Sequence, residues 1–95
     1  MQVAIWTAVD CSRCEKALKI LVGKNFPNMQ KLVEMGTPNI DVLVDFAEHD
    51  KNPTSMPLIR FDDSTGKPVL WLDGEDVEKG MLAIIRRAEK KGILS

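Results

Sequence analysis

QVAIWTAVDCSRC, residues 2–14, decides how the rest of the chain is read. Its first half, Gln2 to Thr7, is apolar on both sides of an extended chain: Val3 and Ile5 point one way, Ala4 and Trp6 the other. A strand without a polar face is a central strand, covered from both sides. The second half carries the only two cysteines of the chain, Cys11 and Cys14. From there the apolar residues recur as Cys14, Ala17, Leu18 and Leu21, the i, i+3, i+4, i+7 period of a helix over 14–24 that Gly23 can stop. The two thiols therefore fall where a buried strand turns into a helix, with Cys11 nearest the helix N-terminus.

The bulk properties narrow the function classes. A length of 95 residues suits one domain, 1–95, and 44% hydrophobic content supplies a single modest core. Thirteen Lys and Arg against fourteen Asp and Glu give a net charge of −1, which leaves no electrostatic footprint for nucleic acid or an anionic membrane. The opening MQVAIWTAVD has neither a basic n-region nor a long apolar h-region, so no signal peptide is expected. No apolar run approaches the ~20 residues of a membrane span. A cytoplasmic monomer is expected, in a compartment where disulfides are usually transient and catalytic.

No linker, repeat or low-complexity segment interrupts the chain. Ile40 to Phe46 admits a strand reading, but a helix over Pro38 to Lys51 is preferred. Thr37 is a good N-cap, Pro38 suits the first helical position and Asp41 lies in the first turn. Ile40, Leu43, Val44 and Ala47 then mark its apolar face. The second strand is Met29 to Met35, parallel to the first because a helix intervenes. Leu58 to Phe61 and Pro68 to Leu72 flank the turn-rich Asp62-Asp63-Ser64-Thr65-Gly66-Lys67 and read as a hairpin. A last helix spans Glu75 to Lys91, with Val77, Met81, Ile84, Ile85 and Ala88 buried. Its acidic start and basic end complement the helix dipole. Gly80 inside it costs about 1 kcal/mol relative to Ala, and Gly92 ends it. The order is β-α-β-α-β-β-α.

Three bland readings of the cysteine pair are weak. A staple across so short a ring removes only about 2 kcal/mol of unfolded-state entropy. Structural zinc wants four ligands, and beyond the cysteines only His49 remains to help. Inert core thiols need no such spacing. Redox chemistry fits better. Unpaired N–H groups at a helix start stabilise a thiolate on Cys11, Arg13 adds positive charge and Asp10 opposes it. An unperturbed thiol of pKa ~8.5 is about 3% thiolate at pH 7, whereas one lowered to ~6 is about 90%. Cys14, one turn further, is placed to attack a mixed disulfide on Cys11 and release the reduced substrate. His49 reads as a dipole partner near a helix C-terminus, Trp6 as core, Trp71 as core or rim, and the methionines as gap-fillers.

At these residues the chain resembles the glutaredoxins of the thioredoxin-like superfamily over nearly its whole length. The resemblance rests on CSRC after the first strand, Ser55-Met56-Pro57 opening the third, and Leu72-Asp73-Gly74-Glu75-Asp76 leading into the last helix. It implies an α/β thioredoxin-like fold with a four-stranded mixed sheet flanked by three helices, and a cis Pro57 beside the active cysteines. It also implies Cys11 as nucleophile and Cys14 as resolving thiol. Arg13, Met56, Pro57, Gly74, Glu75 and Asp76 become the substrate or glutathione site, with Met56 offering backbone groups to the ligand. No bound cofactor or metal is implied. Glutathione is the co-substrate, and protein disulfides are the substrates, ribonucleotide reductase being one such substrate at the level of the family. The departures matter. Ser12 and Arg13 replace the family's usual Pro-Tyr, Ala8 replaces a common lysine, and Asp73-Gly74 replaces Gly-Gly. Arg13 either stands in for that lysine or is a solvated arginine that only tunes the thiol. Asp76 either meets the amino end of glutathione or merely complements the helix start. A redoxin without a glutathione site, reduced by a thioredoxin-reductase-type enzyme, is the close alternative. A non-catalytic thioredoxin-like module that binds a metal or iron–sulfur cluster between two chains is the alternative from another class.

Overall fold

The structure, a computed structural model, describes residues 1–23 and 31–94. Strand β1 (Gln2–Trp6) organises it. Val3, Ala4, Ile5 and Trp6 are each at most 5% exposed, so beyond the exposed Gln2 the strand has no solvent face. It pairs in parallel with β2 (Lys31–Gly36) and antiparallel with β3 (Leu58–Asp62), which pairs antiparallel with β4 (Pro68–Leu72). The mixed sheet has the order β2-β1-β3-β4. Helix α1 (Ser12–Gly23) connects β1 to the parallel strand β2, as that connection requires. Helices α2 (Ile40–Glu48), α3 (Gly74–Glu78) and α4 (Met81–Lys90) complete the chain.

The alternation of β1 sorts the core into two layers. Val3 and Ile5 pack with Ala17 and Leu21 of α1, Ile59 and Phe61 of β3, and Val77, Met81, Ile85 and Ala88 of α3 and α4. Ala4 and Trp6 pack with Phe46 of α2 and with Leu58. Each fully buried Val, Ile, Leu or Phe contributes about 1.5–3 kcal/mol of transfer free energy, so both layers are needed. The β3–β4 hairpin lies where the sequence places it. Its turn is drawn in by Asp63, whose carboxylate accepts from Thr65 Oγ1 and from the Thr65 and Lys67 amides. Those bonds, the Thr65 hydroxyl first, hold the Asp63 carboxyl below the usual carboxylate range.

Several boundaries depart from the sequence reading: α1 starts at Ser12, two residues early, β2 and β3 each end one residue later than expected, and the last helical stretch runs from Gly74 to Lys90. The last helix is two helices, which gives four among the described residues instead of the three expected. Gly80 takes a left-handed conformation, φ 98°, and breaks the run between α3 and α4. Lacking a Cβ, glycine adopts that geometry freely, so the weak point became a corner. Helix α2 is shorter than Pro38 to Lys51. Its cap is Asn39, whose side chain accepts from the Val42 amide at 3.0 Å, so Thr37 and Pro38 lie outside it. At the other end Asp50, φ 59°, turns the chain away after His49. Strand β1 ends at Trp6, although the Thr7 amide still donates to the Gly36 carbonyl at 2.9 Å. The proposed Met29 and Gln30 start of β2 and the Lys24 end of α1 lie outside the described residues.

The buried face of α2 is also rotated from the periodic one. Ile40 is 70% and Val44 48% exposed, whereas Phe46 is fully buried. Two partners turn the helix. Phe46 meets Trp6 edge to face at 5.7 Å. Asp45 accepts from Trp71 Nε1 at 2.9 Å and lies 3.5 Å from Arg60. Arg60 in turn covers the Trp6 ring, and His49 stacks on Trp71 at 3.4 Å between centroids. Trp71 is thus half-buried under α2, and His49 is its cover rather than only a dipole partner. Among the described residues no helix is long and apolar enough to cross a membrane.

Replacing Asp45 leaves the half-buried Trp71 N–H and Arg60 without this acceptor. Asp45→Ala should therefore cost about 1–3 kcal/mol. Glu48→Ala on the exposed side should stay within about 0.5 kcal/mol. Urea unfolding followed by circular dichroism measures both. Equal values would show that the Asp45 network contributes nothing to stability.

Candidate functional site

The segment between β1 and α1 is built for a tight turn. Val9 is 89% exposed, and Asp10 adopts a left-handed φ of 52°, a region that short polar side chains tolerate. The turn delivers Cys11 to the residue immediately before α1. Its carbonyl accepts from the Glu15 amide at 3.3 Å, and its sulfur accepts from the Cys14 amide at 3.1 Å. Cys11 therefore occupies the N-cap, its sulfur taking the place of a capping oxygen. Cys11 and Cys14 are joined by a disulfide, with Cα atoms 5.2 Å apart. Cys11 is half-exposed, whereas Cys14 is 3% exposed and lies on the same face as Ala17 and Leu21. One sulfur thus faces a visitor and the other faces the core. When the bond is reduced, the helix dipole and the Cys14 N–H favour negative charge on Cys11.

A groove of about 290 Å³ opens over Cys11, lined by Ala8, Asp10, Ser12, Arg13, Thr54 and Met56. Of the residues proposed from sequence, it gathers Cys11, Arg13 and Met56. Pro57 is buried behind it, and the Met56–Pro57 peptide is cis, as the resemblance implies. Gly74, Glu75 and Asp76 do not line it.

Gly74 has another task. It is buried, and its amide donates to the Ser55 carbonyl at 2.7 Å. A Cβ there would collide with the Met56 carbonyl oxygen and lie 2.8 Å from Ser55 Oγ and 2.9 Å from an Arg13 nitrogen. The Met56 carbonyl thus lies against Gly74. Beside it, Asp73 is 4% exposed and caps α3 by accepting from the Asp76 amide, while Asp76 accepts from the Asp73 amide. The second Asp73 oxygen accepts from the Asn52 amide at 2.8 Å. The loop that carries Met56 and Pro57 is therefore fastened to the start of α3 at both ends.

Two of the three charged candidates, Arg13 and Asp76, are already engaged. Arg13 donates to Ser55 Oγ at 3.2 Å and comes within 3.9 Å of Glu78. Asp76 also pairs with Lys51 at 3.0 Å and keeps only 14% of its side chain exposed. Glu75 is exposed on the first turn of α3. Sequence reasoning missed Lys51, Asn52 and Thr54, whose roles come from contacts far along the chain. The reciprocal cap was readable in Asp73-x-x-Asp76 as a variant of the capping box. Among the described residues, no group of three or more His, Cys, Asp or Glu side chains is placed to hold a metal ion. Compared with protein families, curated proteins and solved structures, the chain matches none.

Gly74→Ala should lower stability by about 1–3 kcal/mol, because a backbone carbonyl cannot step aside as a side chain can. Gly23→Ala, with open space around its Cβ, should be neutral or slightly stabilising. Thermal melts of the two variants check this, and a Gly74→Ala protein as stable as wild type would overturn the close packing of α3 on the Met56 loop.

Proposed function

We propose that the protein is a dithiol thiol–disulfide oxidoreductase of thioredoxin-like fold, resembling the glutaredoxins and acting in the cytoplasm. The observation that carries this reading is the asymmetric disulfide, with Cys11 at the helix N-cap under an open groove and Cys14 buried one turn behind. In the reductive direction the Cys11 thiolate attacks one sulfur of a substrate disulfide. A Cys11–substrate mixed disulfide forms, and the other substrate sulfur leaves as a thiolate and takes a proton from water. Cys14 then gives up its proton and attacks the Cys11 sulfur, releasing the second substrate thiol. Two electrons have passed to the substrate, and Cys11–Cys14 is again a disulfide. A reductant dithiol resets it by the same exchange. Thr54 and Met56 border the groove on the side opposite the helix and shape what enters it.

A second reading concerns the electron donor. The two side chains that would hold glutathione, Arg13 and Asp76, are committed to Ser55 and Glu78 and to Lys51 and the α3 cap. Binding glutathione there would require breaking those contacts first. This favours a protein reductant of the thioredoxin-reductase type and protein disulfides as substrates. A cluster-binding module is a third outcome that visible absorbance of the purified protein distinguishes.

Cys11→Ser should abolish reduction of insulin disulfides, and Cys14→Ser should accumulate a covalent protein–substrate adduct visible on non-reducing gels. Retained wild-type activity in Cys11→Ser would falsify the redox reading. NADPH consumption should be faster with a thioredoxin-reductase-type flavoenzyme than with glutathione plus glutathione reductase. The reverse order would restore the glutathione site.

A further inference from the structure

We infer that the outer face of α4 is a docking groove for an acidic, partly apolar segment of a partner protein. The groove has a volume of about 800 Å³ and is lined by Gly80, Leu82, Ala83, Arg86, Arg87 and Lys90. It shares no residue with the groove over Cys11, and it does not rest on the redox reading.

Charge is the first argument. Lys79 to Lys91 contains five cations and one carboxylate, a net +4 in a chain of net −1, so the remainder carries −5. Among the described residues, Arg86, Arg87 and Lys90 form no ion pair; other lysines, such as Lys16, Lys19 and Lys31, form none either, but only on α4 do three such cations gather along one groove. Three unneutralised cations on adjoining turns raise the local potential and attract carboxylates.

Shape and chemistry select the occupant. The groove walls are mainly apolar, formed by Leu82, Ala83 and the carbon stems of the basic residues. A nucleic-acid site is strongly polar and gains from net positive charge, and here the rest of the chain repels a long polyanion. A membrane-binding helix exposes large apolar side chains beside its cations, but the large exposed ones, Val9, Val22, Met35, Ile40, Val44 and Ile93, all lie outside α4. The helix has ten residues, about 15 Å at 1.5 Å per residue, enough for three turns of a partner helix or four to five extended residues. A segment that alternates carboxylates with leucine-sized side chains satisfies both the rim and the floor.

The test uses the intact protein and a fluorescein-labelled twelve-residue peptide of Glu-Leu repeats, with binding read by anisotropy. Arg86→Glu/Arg87→Glu/Lys90→Glu should weaken binding at least about tenfold. Lys16→Glu/Lys19→Glu/Lys31→Glu carries the same total charge elsewhere and should change it less than about threefold. Ala83→Glu, on the exposed side of α4, should weaken binding without touching the core. A Glu-Ser peptide should bind more weakly than Glu-Leu. Circular dichroism confirms that each variant folds. Equal losses in the two triple variants would overturn the proposal by assigning binding to overall charge. Tighter binding of a DNA duplex or of phosphatidylserine vesicles would overturn it in favour of those partners. A dimer by sedimentation that the α4 variant abolishes would replace the partner with a second copy of this chain.

Discussion

Strand β1 has no face left for water, and most of the structure answers to that constraint. The 0–5% exposure of Val3 to Trp6 requires one layer against Val3 and Ile5 and another against Ala4 and Trp6. Helix α1 supplies the first layer by returning across the sheet to the parallel strand β2, and α2 supplies the second. A central strand must also stop where its cover stops. At that end the chain leaves the sheet through an exposed turn and enters α1, and Cys11 sits at the junction. The position of the disulfide is thus a consequence of burying β1.

The polar groups around the disulfide are spent on one another. Asp73, Asp76, Lys51, Asn52, Ser55 and Arg13 bond among themselves and hold α3 against the Met56–Pro57 loop. Gly74 lets the two backbones touch. In contrast, the groove over Cys11 takes few of these groups, and its sulfur has one local donor, the Cys14 amide. Arg13 and Asp76, the charged side chains on either side of this loop, each meet partners of their own, Ser55 and Glu78 for the one and Lys51 for the other.

The element order was legible because the patterns of β1, α1 and the 58–72 hairpin are strong and local. Capping signals together with the period made 40–48 a helix, but the caps placed its start too early and the period left its buried face rotated. The Phe46–Trp6 and Asp45–Trp71 contacts that set the rotation depend on residues 26 or more positions away. The break at Gly80 was foreshadowed by its propensity cost, yet whether a glycine is tolerated or turned into a corner depends on where Met81 and Ile85 must pack. At the site, the cysteines announced themselves through spacing. The commitments of Arg13 and Asp76 did not, because their partners Ser55 and Lys51 are brought near only by the folded chain.

Both tryptophans lie in the same layer. Trp6 is beneath Arg60 and against Phe46, and Trp71 is beneath His49 and bonded to Asp45. The chain has no tyrosine, so emission excited beyond the phenylalanine absorption band comes from these two rings alone. The larger layer, formed by α1, α3 and α4, contains no tryptophan among its described core residues and contributes none of that emission. Intrinsic fluorescence is a one-sided witness here: it reports the undocking of α2, and it stays silent while the α1 side loosens.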